Sequence, residues 1–330
     1  MARLHQLRGV RRPLRSGFTA AAVAGLLSVL VVAPSGATTS EPTPVAVPGV
    51  RPAPAAPALP RRAVSVKVTP ANGAIVGIAY PITATFNIPV SGAHRADAER
   101  HMHVYINGRF ASTGAWYWKD AKTAVFRTKN FWPGRAKIQV RLTLAGVELA
   151  RSSSYSFVGG AATTRNHLVR TSRVLIAKVS ATTHRMVVYV DGVAVKNFGT
   201  SLGKAGFETR SGYKAVMEKY LTRNMTSQEL GLTNETYDLW APYSTRITPS
   251  GEFVHGAPWA AGRIGKWNGS HGCTNLLTND AKWFYYATIP GDLVITTGTG
   301  RSMEYWNGTG APYNMPWNLW LSHSALKGAF

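Results

Sequence analysis

The sequence predicts a mainly β protein, an immunoglobulin-like β-sandwich followed by a second β-rich domain with one or two helices. Three observations carry that reading. Apolar residues recur at every second position in short runs, as in Val64, Val66 and Val68, in Ile82, Ala84, Phe86 and Ile88, and in Ile138, Val140, Leu142 and Leu144; this period buries one face of a strand. The dipeptides Asn107-Gly108 and Asp191-Gly192 each stand between a pair of such runs, and both tolerate the positive φ angles that a two-residue hairpin turn requires. Clear helical spacing appears in one stretch, where Thr278 can cap a helix of about ten residues carrying Ala281, Phe284, Tyr285 and Thr288.

Residues 1–37 read as an export signal or N-terminal anchor: basic residues to Arg15, an apolar run from Phe18 to Val32, then small residues at Ser35, Gly36 and Ala37. Arg11-Arg12 hints at twin-arginine export, but Pro13 follows and no fuller motif is present. No cysteine stands directly after the apolar run, which excludes attachment as a lipoprotein. Residues 38–62, rich in Pro and Ala, read as an extended spacer. The sandwich is expected over residues 63–160, with Trp116, Trp118 and Trp132 as core aromatics in preference to a carbohydrate-binding face. Residues 158–166, "VGGAATTRN", read as a linker into a second domain over 165–298. The tail over 299–330, with Trp306, Trp317 and Trp320, is expected to fold back on that second domain.

With 330 residues, 45% of them hydrophobic and 10% aromatic, the chain has ample material for real cores, and disorder throughout is excluded. Its 37 Lys and Arg against 15 Asp and Glu leave a formal charge of +22. The first 62 residues supply +7 of it, from eight Arg and Glu41, leaving +15 for the rest. An anionic partner follows. Basic residues are scattered and the chain carries an export signal, so anionic cell-wall polymers are expected in preference to nucleic acid. Residues 199–204, ending "SLGK", lack the spacing of a phosphate-binding loop.

Cys273 is the only cysteine, so no intramolecular disulfide is available and the thiol stays free. A lone cysteine is more often a small buried hydrophobe than a nucleophile. Its neighbours reverse that reading. His255 precedes the run Ser270-His271-Gly272-Cys273-Thr274-Asn275 by fourteen intervening residues. A thiol is mostly protonated at neutral pH and needs a base to attack, and two histidines are at hand. Gly272, with no Cβ, lets a substrate carbonyl approach the backbone N–H groups. Zinc is the chemical rival, but two ligands separated by one glycine, with no second cysteine, match no zinc spacing. A papain-like order is absent as well, since the histidine comes first.

The pattern H-x(14 to 17)-[S/T]-H-G-C-x-N resembles the signature of the L,D-transpeptidase (YkuD-like) catalytic domain, and "VHGAPW", "YVDGVAVKNFGTSLGK" and "NDAKWFYYATIPGDLVI" extend the likeness. From Val64 onward the chain is similar to the actinobacterial type with a preceding Ig-like module. The resemblance implies Cys273 as nucleophile, His255 as its base with the ring held by the Gly256 carbonyl, and His271 as a second histidine that orients the loop. It further implies an oxyanion hole from Gly272 and Cys273, bracing by Ser270 and Asn275, and a substrate cleft walled by Trp259. Position 256 is Gly where some relatives have Ser, and no lid tyrosine stands near Leu230; Tyr237, Tyr243 or Tyr220 is expected to take that place. The implied activity is formation of 3→3 peptidoglycan crosslinks from tetrapeptide stems through a Cys273 acyl-enzyme, by a monomer with neither cofactor nor metal, located outside the cytoplasmic membrane. L,D-carboxypeptidase action and a non-catalytic wall-binding role are the alternatives. Carbapenems and penems are expected to acylate the same thiol.

Overall fold

A computed structural model describes residues 58–231 and 235–327. The export signal and most of the spacer, over residues 1–57, lie outside the described residues. Among those described, no helix is long and apolar enough to cross a membrane.

The first module is a sandwich. One sheet orders the strands Val66–Thr69, Ile82–Phe86, Thr123–Thr128 and Gly114–Trp118; another orders Ile75–Val76, Thr164–Thr171, Lys137–Thr143, Met102–Ile106 and Arg109–Phe110. The two-residue turn expected at Asn107-Gly108 is present, with φ of 51° and 82° and Ile106 facing Arg109. Apolar side chains from the facing sheets meet in one core with Phe86, Met102, Ile138 and Leu142. Trp116, Trp118 and Trp132 are all buried there, and the Trp116 indole N–H donates across the core to the Met102 carbonyl at 2.7 Å.

The linker expected over residues 158–166 is instead largely strand. Thr164–Thr171 pairs antiparallel with Lys137–Thr143 along its whole length, so the sandwich continues to Thr171 and the expected border near residue 160 falls inside it. Polar residues such as Arg165 and Asn166 disguise the strand because their side chains face solvent.

The second module has two sheets. A five-stranded sheet orders Val193–Gly199, Arg185–Val190, Leu175–Ser180, Leu293–Thr297 and Gly212–Ala215; a four-stranded sheet orders Lys219–Thr226, Asp238–Arg246, Phe253–Gly256 and Thr274–Leu276. Asp191-Gly192 turns the first hairpin with φ of 50° and 87°. The helix Thr278–Ala287 has the expected ten residues, but Leu277 is its N-cap and Thr278 its first helical residue. It buries Ala281 and Phe284 against the four-stranded sheet. The modules meet where Gly77 and Ala79 donate to the carbonyls of Pro290 and Gly291, at 2.8 and 2.9 Å. A Cβ on Gly77 would lie 2.1 Å from the Asp292 nitrogen, so only glycine allows this approach.

The tail packs on both modules, where only the second was expected: the Met303 N–H donates to the Ser211 carbonyl at 2.8 Å and Glu304 pairs with Arg210 at 2.6 Å. It leaves the second domain beside Tyr213, which Asn314 brackets by donating to its carbonyl and accepting from its N–H. The short helix Trp317–Ser322 then docks on the sandwich strand Gly114–Trp118. Trp320 is fully buried, donates to the Ala115 carbonyl at 3.0 Å, and lies under the Arg127 guanidinium. Beyond it, buried Glu99 accepts from Trp118, Ser324, Ala325 and Leu326. Trp320→Ala is expected to lower the unfolding free energy by about 3–5 kcal/mol, as for other buried tryptophans. A urea titration giving less than about 1 kcal/mol would mean that the tail does not help hold the modules together.

Candidate active site

His255 and Cys273 are brought together by strand register. In the parallel pair of Phe253–Gly256 with Thr274–Leu276, Val254 faces Thr274 and His255 faces Asn275. Extending that register by one residue sets Cys273 opposite Phe253, and side chains two apart on a strand share a face. The histidine is therefore a diagonal neighbour of the cysteine on one side of the sheet, which is why a separation of eighteen residues serves. Both line one cleft with Trp259, Tyr237, Ser270, His271 and Asn275.

His255 is 3% exposed. Its Nδ1 lies 2.9 Å from the Gly256 carbonyl. A carbonyl only accepts, so Nδ1 carries the hydrogen and Nε2 presents a lone pair. Burial pulls the imidazole down to about 4, against the opposing pull of that carbonyl. The ring is thus neutral and basic at Nε2 across the physiological range. Gly256 has little room for a side chain, since an added Cβ would lie 3.0 Å from Pro242 Cγ.

Burial pushes the Cys273 thiol up to about 12, with the Phe253 N–H as the largest opposing influence. The resting Sγ–H donates to the Gly251 carbonyl at 3.6 Å. Cys273 sits where two chambers meet: a narrow one of about 60 Å³ that includes His255 and Trp259, and a larger one of about 310 Å³ bounded by Arg223, Glu229, Arg246, Ser250 and Phe253.

The turn before the cysteine is held from within. Ser270 Oγ donates to the Cys273 carbonyl at 2.6 Å and accepts from the Gly272 N–H at 3.1 Å, while Gly272 adopts φ +116°. The Gly272 N–H expected to face an oxyanion is therefore engaged by Ser270. Asn275 is buried beside the narrow chamber, pairs through its backbone with Ser201, and its Oδ1 has no partner among the described residues. Trp259 is 41% exposed and tilts over His255, with 6.0 Å between ring centres. Tyr237 lines both chambers, and burial pushes its phenol up to about 12.

Tyr243 does not join them. It lies six residues beyond Tyr237 along one chain, about 20 Å of extended strand, and a φ of 52° turns it toward Tyr285 and Tyr286 of the helix. Tyr220, the third tyrosine considered, is bonded to Glu218 and also lies outside both chambers.

A network that sequence reasoning missed holds His271. Its Nε2 lies 2.6 Å from Glu235 Oε2, and Lys204 Nζ reaches both oxygens of the same carboxylate at 2.7 and 2.8 Å. Lys204, and after it His271, holds the Glu235 carboxyl below its usual range. Tyr237 and Phe207 flank the imidazole. Residues 204, 235 and 271 come from three separate segments, and their spacing carries no local signal.

The fold and site define a class of protein, a β-rich domain whose cleft carries a lone thiol and a buried neutral imidazole. Residues 175–296 match the L,D-transpeptidase catalytic domain family, and residues 57–148 match a bacterial Ig domain family. L,D-transpeptidase 2 of Mycobacterium tuberculosis is 30% identical over 262 residues, which cover 78% of this chain and 62% of that relative, less than two thirds of its length. L,D-transpeptidase 1 of the same species is 31% identical over 234 residues, covering 70% of this chain and 84% of the relative. A crystal structure of L,D-transpeptidase 3 of that species with a faropenem-derived adduct has a TM-score of 0.58 at 28% identity, covering 72% of this chain and 98% of that one. The chain belongs to the L,D-transpeptidase family.

Proposed function

We propose that this protein crosslinks peptidoglycan by L,D-transpeptidation outside the cytoplasmic membrane, with Cys273 as nucleophile and His255 as base. The observation that carries this is the neutral His255, its Nδ1 tied to Gly256 and its Nε2 without a hydrogen-bond partner among the described residues, on the same sheet face as Cys273. A donor tetrapeptide stem enters the cleft. The Cys273 side chain turns from the Gly251 carbonyl, His255 Nε2 takes the thiol proton, and sulfur attacks the carbonyl of the third stem residue, usually meso-diaminopimelate in the family. The Cys273 N–H is the oxyanion donor in this scheme, since that of Gly272 is occupied. Collapse breaks the amide, and the imidazolium returns the proton to the departing D-alanine amine, leaving a thioester. The side-chain amine of a second stem then displaces sulfur to form the 3→3 link.

His271, braced by Glu235 and Lys204, positions the turn, and Trp259 and Tyr237 wall the donor. Residues 1–37 are proposed to direct export, and the sandwich to hold the site away from the membrane. The adduct in the solved relative supports acylation of Cys273 by penems. The deciding experiment is mass analysis of products from disaccharide tetrapeptide: a crosslinked dimer is expected, and it should vanish with Cys273→Ala. Tripeptide monomer alone would assign hydrolysis instead, and unchanged substrate with no covalent penem adduct would overturn the proposal.

A further inference from the structure

Three cationic side chains line the cleft around Cys273: Arg223, Arg246 and Arg263. Arg223 pairs with Glu229 at 2.6 Å, and Arg246 with Glu218 at 3.1 Å. Arg263 pairs with no carboxylate among the described residues, and its Nε is buried with no hydrogen-bond partner. A guanidinium that borders a cleft and has no carboxylate partner of its own is suited to a planar anion.

The position is built. The Arg263 N–H donates to the Ala260 carbonyl at 3.0 Å, and the Arg263 carbonyl accepts from Lys266 and Trp267 at 2.9 and 3.1 Å, so its backbone is wound into a tight turn. The side chain lies across Gly269: an added Cβ there would come 3.0 Å from Arg263 Cδ and 3.2 Å from its Nε. Glycine leaves the cradle in which the arginine rests, next to the Ser270 that anchors the nucleophile's turn.

Which substrate carboxylate reaches it follows from where the base stands. His255 and Arg263 border the narrow chamber and are absent from the larger one, while Cys273 borders both. The group that protonates the departing amine must face the leaving group. On the transpeptidase reading, from which this inference starts, the leaving D-alanine occupies the narrow chamber, and its carboxylate is attached to the carbon that bears that amine. We propose that Arg263 binds the terminal carboxylate of the donor stem and thereby selects stems that end one residue beyond the attacked carbonyl. A stem one residue longer carries its carboxylate about 3.5 Å further on, past the reach of a fixed guanidinium.

The test uses the full chain in a Cys273→Ala background, in which binding is read without turnover. Two stem tetrapeptides are titrated calorimetrically, one ending in D-alanine and one in D-alaninamide. The acid is expected to bind about 10- to 100-fold more tightly than the amide, the range of one charge-assisted hydrogen-bond pair. Adding Arg263→Gln should erase that preference while leaving amide affinity within about twofold, because only the charged contact is removed. Arg263→Lys should restore some of it, the charge being kept without the planar fork. Equal affinity for acid and amide in the parent background, or a preference that survives Arg263→Gln, overturns the assignment. Loss of affinity for both ligands alike overturns it too, since that is the mark of a structural role. Failure of the transpeptidase reading would show separately, as an intact Cys273 enzyme that binds the acid selectively yet releases no D-alanine.

Discussion

Cys273→Ala will abolish acyl-enzyme formation, and His255→Gln will lower kcat/KM by about 10²- to 10⁴-fold, the range a positioned general base supplies. The reason lies in the resting protonation states. The thiol is pushed up to about 12 and the imidazole down to about 4, so the free enzyme holds a neutral pair and not a preformed ion pair. Proton transfer must accompany attack, and removing the acceptor removes the reaction's route. The sign for pH follows. His255 accepts a proton only when it is itself deprotonated, so kcat/KM should climb as pH rises through about 4 and then stay level past neutrality. A stopped-flow profile that instead climbs through the ordinary thiol range near pH 8.5 would show that the thiolate forms before substrate arrives, and the scheme would fail. Protonating His255 also works against the fold. Its unfolded value is near 6.5 and its folded value near 4, so the unfolded chain binds more protons in that window. The contribution of this group to stability is complete above pH 6.5 and is lost as pH falls toward 4.

Glu252→Gln is expected to destabilise the protein by about 3–5 kcal/mol, because it strands a buried cation. Lys214 is fully buried, with Nζ 2.6 Å from Glu252 Oε2 and 3.3 Å from Thr296 Oγ1. The other oxygen of Glu252 takes the Arg210 N–H at 2.9 Å and its guanidinium at 3.1 Å, and Arg210 in turn holds Glu304 at 2.6 Å. Glutamine keeps the shape of Glu252 and removes the charge that compensates Lys214. Burial already pulls the Lys214 ammonium below its usual range, and Glu252 is the main opposing influence. For a chain of this size the loss should appear as a fall in Tm of roughly 4–9 °C. Lys214→Met combined with Glu252→Gln should recover much of it, since the stranded cation is gone while the amide oxygen still accepts from Arg210. If the double variant melts no higher than Glu252→Gln alone, the network contributes more than its own charge balance.

The features legible in advance were those whose cause is local. Alternation over four to seven residues marks a strand wherever one face is buried, and Asn107-Gly108 and Asp191-Gly192 turn because their own backbones accept positive φ. The motif around Cys273 could be recognised for a related reason: strand register binds residues 255 and 273 into one unit, so their spacing in the chain carries their spacing in the fold. Other features had no such trace. Thr164–Thr171 is a strand because Lys137–Thr143 offers it hydrogen bonds, although its polar side chains suggest a linker. The end of the tail lies on the sandwich because Ala115, Arg127 and Glu99 receive it there, at positions far from it along the chain.

Tyr237 and Tyr243 were equivalent by sequence, and a single positive φ separated them by turning one toward the helix. Arg263 read as one more scattered base, as did Lys204 and Lys214. Their surroundings distinguish them: Lys204 meets Glu235, Lys214 is buried against Glu252, and Arg263 faces a cleft without a carboxylate partner among the described residues. The sequence alone determined strand character, hairpin positions and the identity of the thiol with its neighbouring histidines, all set by contacts within a few residues or by a fixed register. Tertiary structure decided which charges were neutralised, which were left open to a ligand, and where the tail came to rest, because each depends on partners that the chain brings near only by folding.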